Sequence, residues 1–510
     1  MSADPLPRVS PAAPAPGEDV YAFPASRAQQ RLWFLERLGL DRPAYNIPSA
    51  FRIQGPLDAG ALRRSLDAIV ARHETLRTTF TAVDGRPLQL ISPERRQDLA
   101  ILDLSALPKE TREREVRRLA DEEASRPFVL SEGPLLRSTL LKLGPDEHVL
   151  LLCMHHTISD GWSVGIFASE LAELYDAERR GREARLAPLP IQYADYALWE
   201  AEWLDSPAGR TQLAYWKERL AGSPRPVELP ADRPRAAAPS FRGGFLPFRL
   251  PPELARELKA LARMSGATLF MTLLAAFAAL VRRLTGETDV AIGSMAANRS
   301  LPETEPLVGF FVNALVYRLD LGGDPGFRAL LARVKDVAIG AYANQQLPFE
   351  RLVEELRPQR DLAKNPLFCL CLTLQNAPLS VRLPGLTVTP LPAENGTAKF
   401  DVSLEMWEED GAIAGRFEYA ADLFDHATVE ALARRFEGVL SAVAADPEVK
   451  VSRLPLVSPE ERRRVLLEEN RTRAAYDQRP VHQIFEEHAR HAPRALAIAE
   501  PGRAVTYREL

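Results

Sequence analysis

The sequence predicts an α/β protein built in two halves, and three observations carry that reading. A chain of 510 residues exceeds one ordinary core, so at least two folded units are expected. Residues 149–154 form a continuous apolar run of strand length; after a short polar stretch, residues 166–175 carry apolar side chains at helical spacing. A proline-rich stretch at 223–240 then separates this strand–loop–helix half from a second half of similar make-up.

Taken in order, residues 1–20 are rich in proline and alanine and read as a flexible leader. A helix is expected from Asp58, its N-cap, with Leu62, Leu66, Ile69 and Val70 on one face. Beyond the proline-rich connector, residues 251–284 are helix-rich and include the longest apolar stretch, 269–281. That stretch is shorter than the ~20 residues a bilayer crossing needs, so it reads as a buried helix. Strands are expected at 289–292 and 310–319. Residues 458–469 read as a charged helix and 470–476 as a linker; a new pattern starts at 481 and stops abruptly at T-Y-R-E-L, 506–510.

With 46% hydrophobic and 26% charged residues the composition is that of a globular, water-soluble protein. A net charge of −5 without a long basic run argues against nucleic acid as a partner. Cys153, Cys369 and Cys371 sit among apolar neighbours and form no metal or disulfide framework, which suits buried thiols in a reducing cytoplasm. No segment reads as a signal peptide.

The most informative stretch is H-H-T-I-S-D-G at 155–161. An imidazole at the end of a buried strand can open onto a cleft, and near pH 7 it can take a proton from an attacking amine. The same residues also fit a hydrogen-bonded core pair beside a helix N-cap. G-W-S-V-G at 161–165 matches the nucleophile elbow of serine hydrolases, which makes a hydrolase using Ser163 a remote second reading. An elbow puts its serine directly on the strand-to-helix turn, however, and hydrolases place the acid and the histidine after the serine; here His156 and Asp160 precede it. A metal site from Cys153, His155, His156 and Asp160 conflicts with the alternation of a strand, which points adjacent histidines to opposite faces. L-G-G-D-P at 321–325 looks like a phosphopantetheine attachment site, but Pro325 stands where a serine is required.

The H-H-x-x-x-D-G stretch resembles the signature of condensation domains of nonribosomal peptide synthetases, relatives of chloramphenicol acetyltransferase. Further motifs of that family stand in order: S-R-A-Q-Q-R-L-W-F-L at 26–35, R-H-E-T-L-R-T-T-F at 72–80 and Y-A-D-Y-A-L-W at 193–199. Then come I-G at 292–293 with A-N-R at 297–299, and V-G-F-F-V-N at 308–313. The last two are N-Q-Q-L-P-F-E at 344–350, and R-D at 360–361 with N-P-L at 365–367. Departures are mild: Ser294-Met295 replaces a commoner Thr-Pro, and Asn344-Gln345-Gln346 a frequent His-Gln-Asp. The resemblance covers about residues 21–456, and the tail from 481 is similar to the start of an adenylation domain.

The resemblance implies an α/β fold of two chloramphenicol acetyltransferase-like lobes in a V with a central tunnel. After the leader (1–20) it implies an N-terminal lobe (21–195), a C-terminal lobe (196–456), a linker (457–480) and the truncated start of an adenylation domain (481–510). The implied reaction joins a donor acyl thioester to the amine of an aminoacyl thioester. Both ride on 4′-phosphopantetheine arms of carrier proteins, and the domain itself binds no cofactor and no metal. His156 is expected to orient the amine and accept its proton, with His155 beside it fixing the loop and Gly161 offering its N–H to the thioester oxygen. Asp160 is expected to pair with Arg299 across the lobes; Trp162, Ser163, Asn313 and Gln345 are expected to contact substrate. The motif set resembles the subtype that joins an L-donor to an L-acceptor. Starter domains, which add a fatty acyl group carried by coenzyme A, share much of it. Met1 stands about twenty residues before the first motif, so the donor is expected on a separate carrier or on coenzyme A. The expected partners are donor and acceptor carriers and the downstream adenylation domain, with no nucleic acid and no membrane, for a cytoplasmic monomer.

A thioester is already activated, so the reaction needs no covalent intermediate. An amine of pKa ~8 is about one-tenth neutral at pH 7, a handicap of ~1.4 kcal/mol. Holding two reactants in attack geometry is worth ~7–11 kcal/mol, so positioning outweighs help from a base. A binding-only platform with a decayed site is the third reading, opposed by the intact histidines and Asp160.

Overall fold

The apolar run at 149–154 is the middle of a nine-residue strand, Glu147–His155, every residue of which from His148 on is buried. The computed structural model describes residues 20–39, 42–236, 240–357, 364–375 and 382–510. The expected leader, apart from Val20, and the R-D pair at 360–361 lie outside the described residues. The chain divides into two compact units, Met1–Leu456 and Val457–Leu510.

In the first unit the strands begin with β1 (Tyr21–Pro24), β2 (Asn46–Gln54), β3 (Thr78–Val83), β4 (Arg86–Ile91), β5 (Leu99–Asp103), β6 (Leu136–Lys142) and β7 (Glu147–His155). They continue with β8 (Gly243–Leu250), β9 (Asp289–Ala296), β10 (Asn313–Asp320), β11 (Leu370–Gln375), β12 (Thr387–Leu391), β13 (Val402–Glu409) and β14 (Ala412–Ala420). Its longer helices are α1 (Arg27–Arg37), α2 (Ala59–Arg72), α3 (Lys109–Ser125), α4 (Gly161–Arg180), α5 (Tyr193–Leu204) and α6 (Pro207–Arg219). Then follow α7 (Pro252–Met264), α8 (Leu269–Thr285), α9 (Phe327–Ala343), α10 (Phe349–Leu356) and α11 (His426–Ala445).

The first lobe is a sheet in the order β12–β2–β7–β6–β5, antiparallel except where β5 runs parallel to β6. Against it pack α2 and α4. Asp58 caps α2 by accepting the Ala61 N–H at 2.9 Å, and Leu62, Leu66, Ile69 and Val70 are buried with Phe167, Leu171 and Tyr175 of α4. The second lobe is a mixed sheet, β10–β9–β11–β13–β14–β8, parallel at β9/β11 and β11/β13. Its core is α8, read from the sequence as a buried helix, in which residues 270–281 are all buried. Among the described residues no single helix is long and apolar enough to cross a membrane.

The lobes interlock more than a cut at residue 195 allows. That position falls inside α5. In addition, β12, from the second half of the chain, pairs antiparallel with β2 of the first sheet, Thr387 opposite Gln54 and Leu391 opposite Ala50. An edge strand offers unpaired N–H and C=O groups, and β12 satisfies those of β2.

The second unit is small and mostly exposed. Helix Pro459–Arg463 passes directly into a π-helical turn, Arg464–Glu468, so the charged helix expected at 458–469 is broken. Helix Val481–His491 and a hairpin of Leu496–Glu500 with Arg503–Thr506 follow, with Phe485 and Tyr507 in ring contact at 5.4 Å.

Candidate active site

Where β7 ends, the pleat decides which histidine faces what. Successive side chains leave a strand on opposite faces, so His155 and His156 diverge. His155, 1% exposed, turns inward against the Phe128 ring at 5.8 Å, and its Nδ1 accepts the Thr157 N–H at 3.2 Å. His156 continues the ladder by donating its N–H to the Tyr45 carbonyl at 2.9 Å, but its half-buried ring lines a cavity between the lobes. Phe310 and Tyr45 flank that ring, with centroids 4.9 and 6.4 Å away.

One hydrogen bond fixes the chemistry of His156. Its Nδ1 lies 3.0 Å from the Ser159 carbonyl, which can only accept, so Nδ1 carries the proton. The neutral ring therefore keeps its free lone pair on Nε2. Burial, then the charge of Lys399, then His155, hold the imidazole well below the usual histidine pKa of 6.5. The group is a neutral acceptor at physiological pH.

The turn after the histidines runs into α4. Asp160 is its N-cap, taking the Ser163 N–H at 2.8 Å, and it also accepts the Ser163 hydroxyl at 2.7 Å and the Phe311 N–H at 3.0 Å. Arg299 reaches the same carboxylate from the other lobe at 3.2 Å, with both side chains 2% exposed. Arg299 also donates to the Ser163 hydroxyl at 2.8 Å and to the carbonyls of Leu307 and Thr304, while its plane lies over the Phe311 ring at 4.1 Å. Asn298, at φ 52°, takes the left-handed turn that asparagine tolerates and so brings Arg299 back toward the loop. A buried ion pair this well hydrogen-bonded fixes how the two lobes meet at the site.

The opening motif buttresses the loop from beneath. Gln29, fully buried on α1, donates to the Thr157 carbonyl at 3.0 Å, and Ser26 caps α1 while sharing a hydrogen bond with the Tyr193 hydroxyl at 2.9 Å. Tyr193 donates to the Phe310 carbonyl at 2.7 Å and lies so close to Gly309 that a Cβ there would meet its ring at 2.2 Å. His73 accepts the Val308 N–H at 3.3 Å. The Y-A-D-Y and R-H-E segments thus hold the strip 308–311 that presents Phe310 to His156.

Four expected site residues are placed away from the cavity wall. His155 lies behind it. Trp162 is 46% exposed and donates to the Glu305 carbonyl at 3.2 Å, and Ser163 is buried in the Asp160–Arg299 knot. Helical residues turn by about 100° each, so Gly161 faces the cavity while the next two residues leave it. Ser163 has Asp160, Gly309 and Arg299 as its hydroxyl partners, none of them an imidazole, which removes the nucleophile–base pair a serine hydrolase requires. Gln345 contributes only its carbonyl, to Asn313 at 2.8 Å. Asn313 does line the cavity, but its amide is spent on the carbonyls of residues 345 and 347 and the N–H of Phe349.

Tyr45, Phe310 and Lys399 are site residues that the sequence reading missed. Each is brought to His156 by tertiary folding from a distant position; Phe310 lies in the V-G-F-F-V-N segment, whereas Tyr45 and Lys399 have no local pattern to announce them.

The cavity holds about 1400 Å³ and takes its walls from both lobes. A compact ligand fills about 300–1,000 Å³, so this volume suits two extended reactants. A family model described as "Condensation domain" matches residues 19–466. One of the linear gramicidin synthase proteins of Brevibacillus parabrevis is 44% identical over 492 residues, which are 96% of this chain but 6% of that protein. Chondramide synthase of Chondromyces crocatus is 42% identical over 503 residues, 98% of this chain and 13% of that protein. Among solved structures, the first condensation domain of the calcium-dependent antibiotic synthetase, in complex with a substrate analogue, superimposes with a TM-score of 0.73 at 25% identity over 86% of this chain and 99% of that one. The X-domain of teicoplanin biosynthesis, solved in complex with OxyB, gives 0.77 at 31% identity over 89% and 99%. The chain belongs to the condensation-domain family of nonribosomal peptide synthetases, acyltransferases that form amide bonds between carrier-bound substrates.

Proposed function

We propose that this chain joins a donor aminoacyl or peptidyl thioester to the amine of an aminoacyl thioester, with His156 Nε2 orienting the amine and taking its proton as the tetrahedral intermediate collapses. The observation that carries the reading is the Nδ1–H···O=C bond to Ser159, which supports a neutral ring with Nε2 as its free acceptor at the cavity wall. Gly161 opens α4, and a first-turn N–H has no partner within its helix, so it is available to a developing thioester oxyanion. Asp160, Arg299 and His155 hold the loop and do no chemistry.

Both thioesters arrive on phosphopantetheine arms of donor and acceptor carrier domains, and residues 481–510 open the adenylation domain downstream. Polar side chains in the cavity wall, among them Arg31, Glu350, Lys399, Glu405, Arg416 and Glu418, offer partners to the amide and amine groups of an aminoacyl or peptidyl donor. Three buried free cysteines suit a reducing cytoplasm.

The test is intact mass spectrometry of an acyl-loaded donor carrier with an aminoacyl acceptor carrier, with and without this protein. A protein-dependent mass shift of the acceptor by the donor acyl group is expected. Medium-chain acyl-coenzyme A is offered in parallel; product from that donor alone would overturn the peptidyl reading and leave amide formation standing.

A further inference from the structure

Beside Tyr45 the cavity carries a cation that the reaction as described leaves unused. The Lys399 ammonium sits 5.3 Å from the centre of the Tyr45 ring, whose backbone carbonyl and ring edge both meet His156. Lys399 is not free to swing away with its segment. Asn395 donates to the carbonyls of Pro43 and Asn46, at 3.0 and 3.2 Å, and so ties the segment to both flanks of Tyr45. The Lys399 N–H is itself held by Glu418 at 3.2 Å. No described carboxylate forms an ion pair with the ammonium, whereas neighbouring Arg416 is tied to Glu405 at 2.8 Å and Arg31 to Glu350 at 3.2 Å.

We propose that Lys399 is the fixed cation of the condensation site: acting through His156, it adds to burial in disfavouring a second positive charge on the imidazole and selects the neutral form of the incoming amine. The inference rests on the reading of His156 as the amine-orienting group. A second positive charge beside a partly desolvated first one is disfavoured, and both imidazolium and ammonium are such charges. The other charged groups facing this corner come from α1 (Arg31), β13 (Glu405) and β14 (Arg416, Glu418), with His155 behind His156. Burial lowers the pKa of Lys399, and Glu418 and then Glu405 oppose that fall. Tyr45 is the spacer. Its ring lies 5.3 Å from the ammonium and 6.4 Å from the imidazole, and no hydrogen bond joins the lysine to His156 among the described residues, so Lys399 acts as a field and not as an acid.

The experiment is the pH dependence of single-turnover amide formation by the full chain, between pH 5.5 and 8.5. It compares wild type with Lys399→Met, Lys399→Gln and Lys399→Arg, and with His156→Ala as a control. The neutral variants should move the acid limb up by about one pH unit while reaching the wild-type plateau at high pH, and Lys399→Arg should leave the limb in place. A uniform loss at all pH values, an unshifted limb, or a limb that moves equally in Lys399→Arg would overturn the proposal. His156→Ala separates the two readings. If it retains the wild-type rate and profile, the role of His156 fails; if it is impaired and the lysine variants titrate like wild type, only the role of Lys399 fails.

Discussion

Asp160 and His156 share one short loop but live in opposite surroundings. Asp160 is 1% exposed and takes four hydrogen bonds from Ser163, Phe311 and Arg299. His156 is half-buried on the cavity wall, and its ring is held by the Ser159 carbonyl. The first region is saturated and closes the lobes on each other. The second keeps one acceptor free, beside a cation with which no described carboxylate forms an ion pair. On the proposed reading, support and chemistry are divided between two faces of the same loop, and substitutions on the two faces should fail in different ways.

The largest effect is expected on the supporting face. Asp160→Asn leaves Arg299 buried and charged without its partner, which costs about 3–5 kcal/mol. Urea unfolding should show that loss, with activity falling alongside it. A fall in activity at unchanged stability would move Asp160 to the chemical face.

The support extends to Glu200, which is 5% exposed and takes the Arg27 N–H at 2.8 Å at the start of α1, the helix that carries Gln29 to the loop. Burial pushes the pKa of Glu200 up to about 7 from 4.5; the Arg27 N–H opposes the rise and Glu350 adds to it. The folded state therefore binds the extra proton. Its contribution is complete below about pH 4.5 and disappears as pH rises through about 7. Between those limits wild type should lose up to about 3 kcal/mol relative to Glu200→Gln. Unfolding curves collected across that range check this, and parallel pH dependences for the two proteins would remove Glu200 from the account.

The smallest effect separates the faces by sign. A Cβ on Gly161 would meet nothing within 4 Å. Gly161→Ala should stabilise the first turn of α4 by less than about 1 kcal/mol while slowing condensation, because the new methyl would stand where the proposed mechanism brings the thioester oxygen. Faster condensation, or a loss of stability, would contradict the placement of Gly161 at the wall.

The supporting face was the more legible of the two in the sequence. A strand covered on both sides must be apolar throughout, so β7 announced itself, and α8 did so for the same reason. Asp58 was visible as a cap because capping is a local, side-chain-to-backbone habit. The pairing of Asp160 with Arg299 came from the family resemblance, since two residues so far apart share no local signal. Substrate roles for Trp162 and Ser163 came from the family resemblance as well, and helical rotation carries both away from the cavity. Tyr45 and Lys399 left no trace, because the contact between them is made by the crossing of a second-lobe segment to β2. The register of β12 on β2, which closes that crossing, depends on an edge that only the assembled sheet possesses.

The central claim is that chemistry and support are separable along residues 156–163, and His156→Ala tests it most directly when rate and stability are measured on the same preparation. The account predicts that amide formation between loaded carriers falls by about 10²-fold or more while the urea midpoint stays at the wild-type value. Near-wild-type condensation, or a stability loss as large as that of Asp160→Asn, would contradict it.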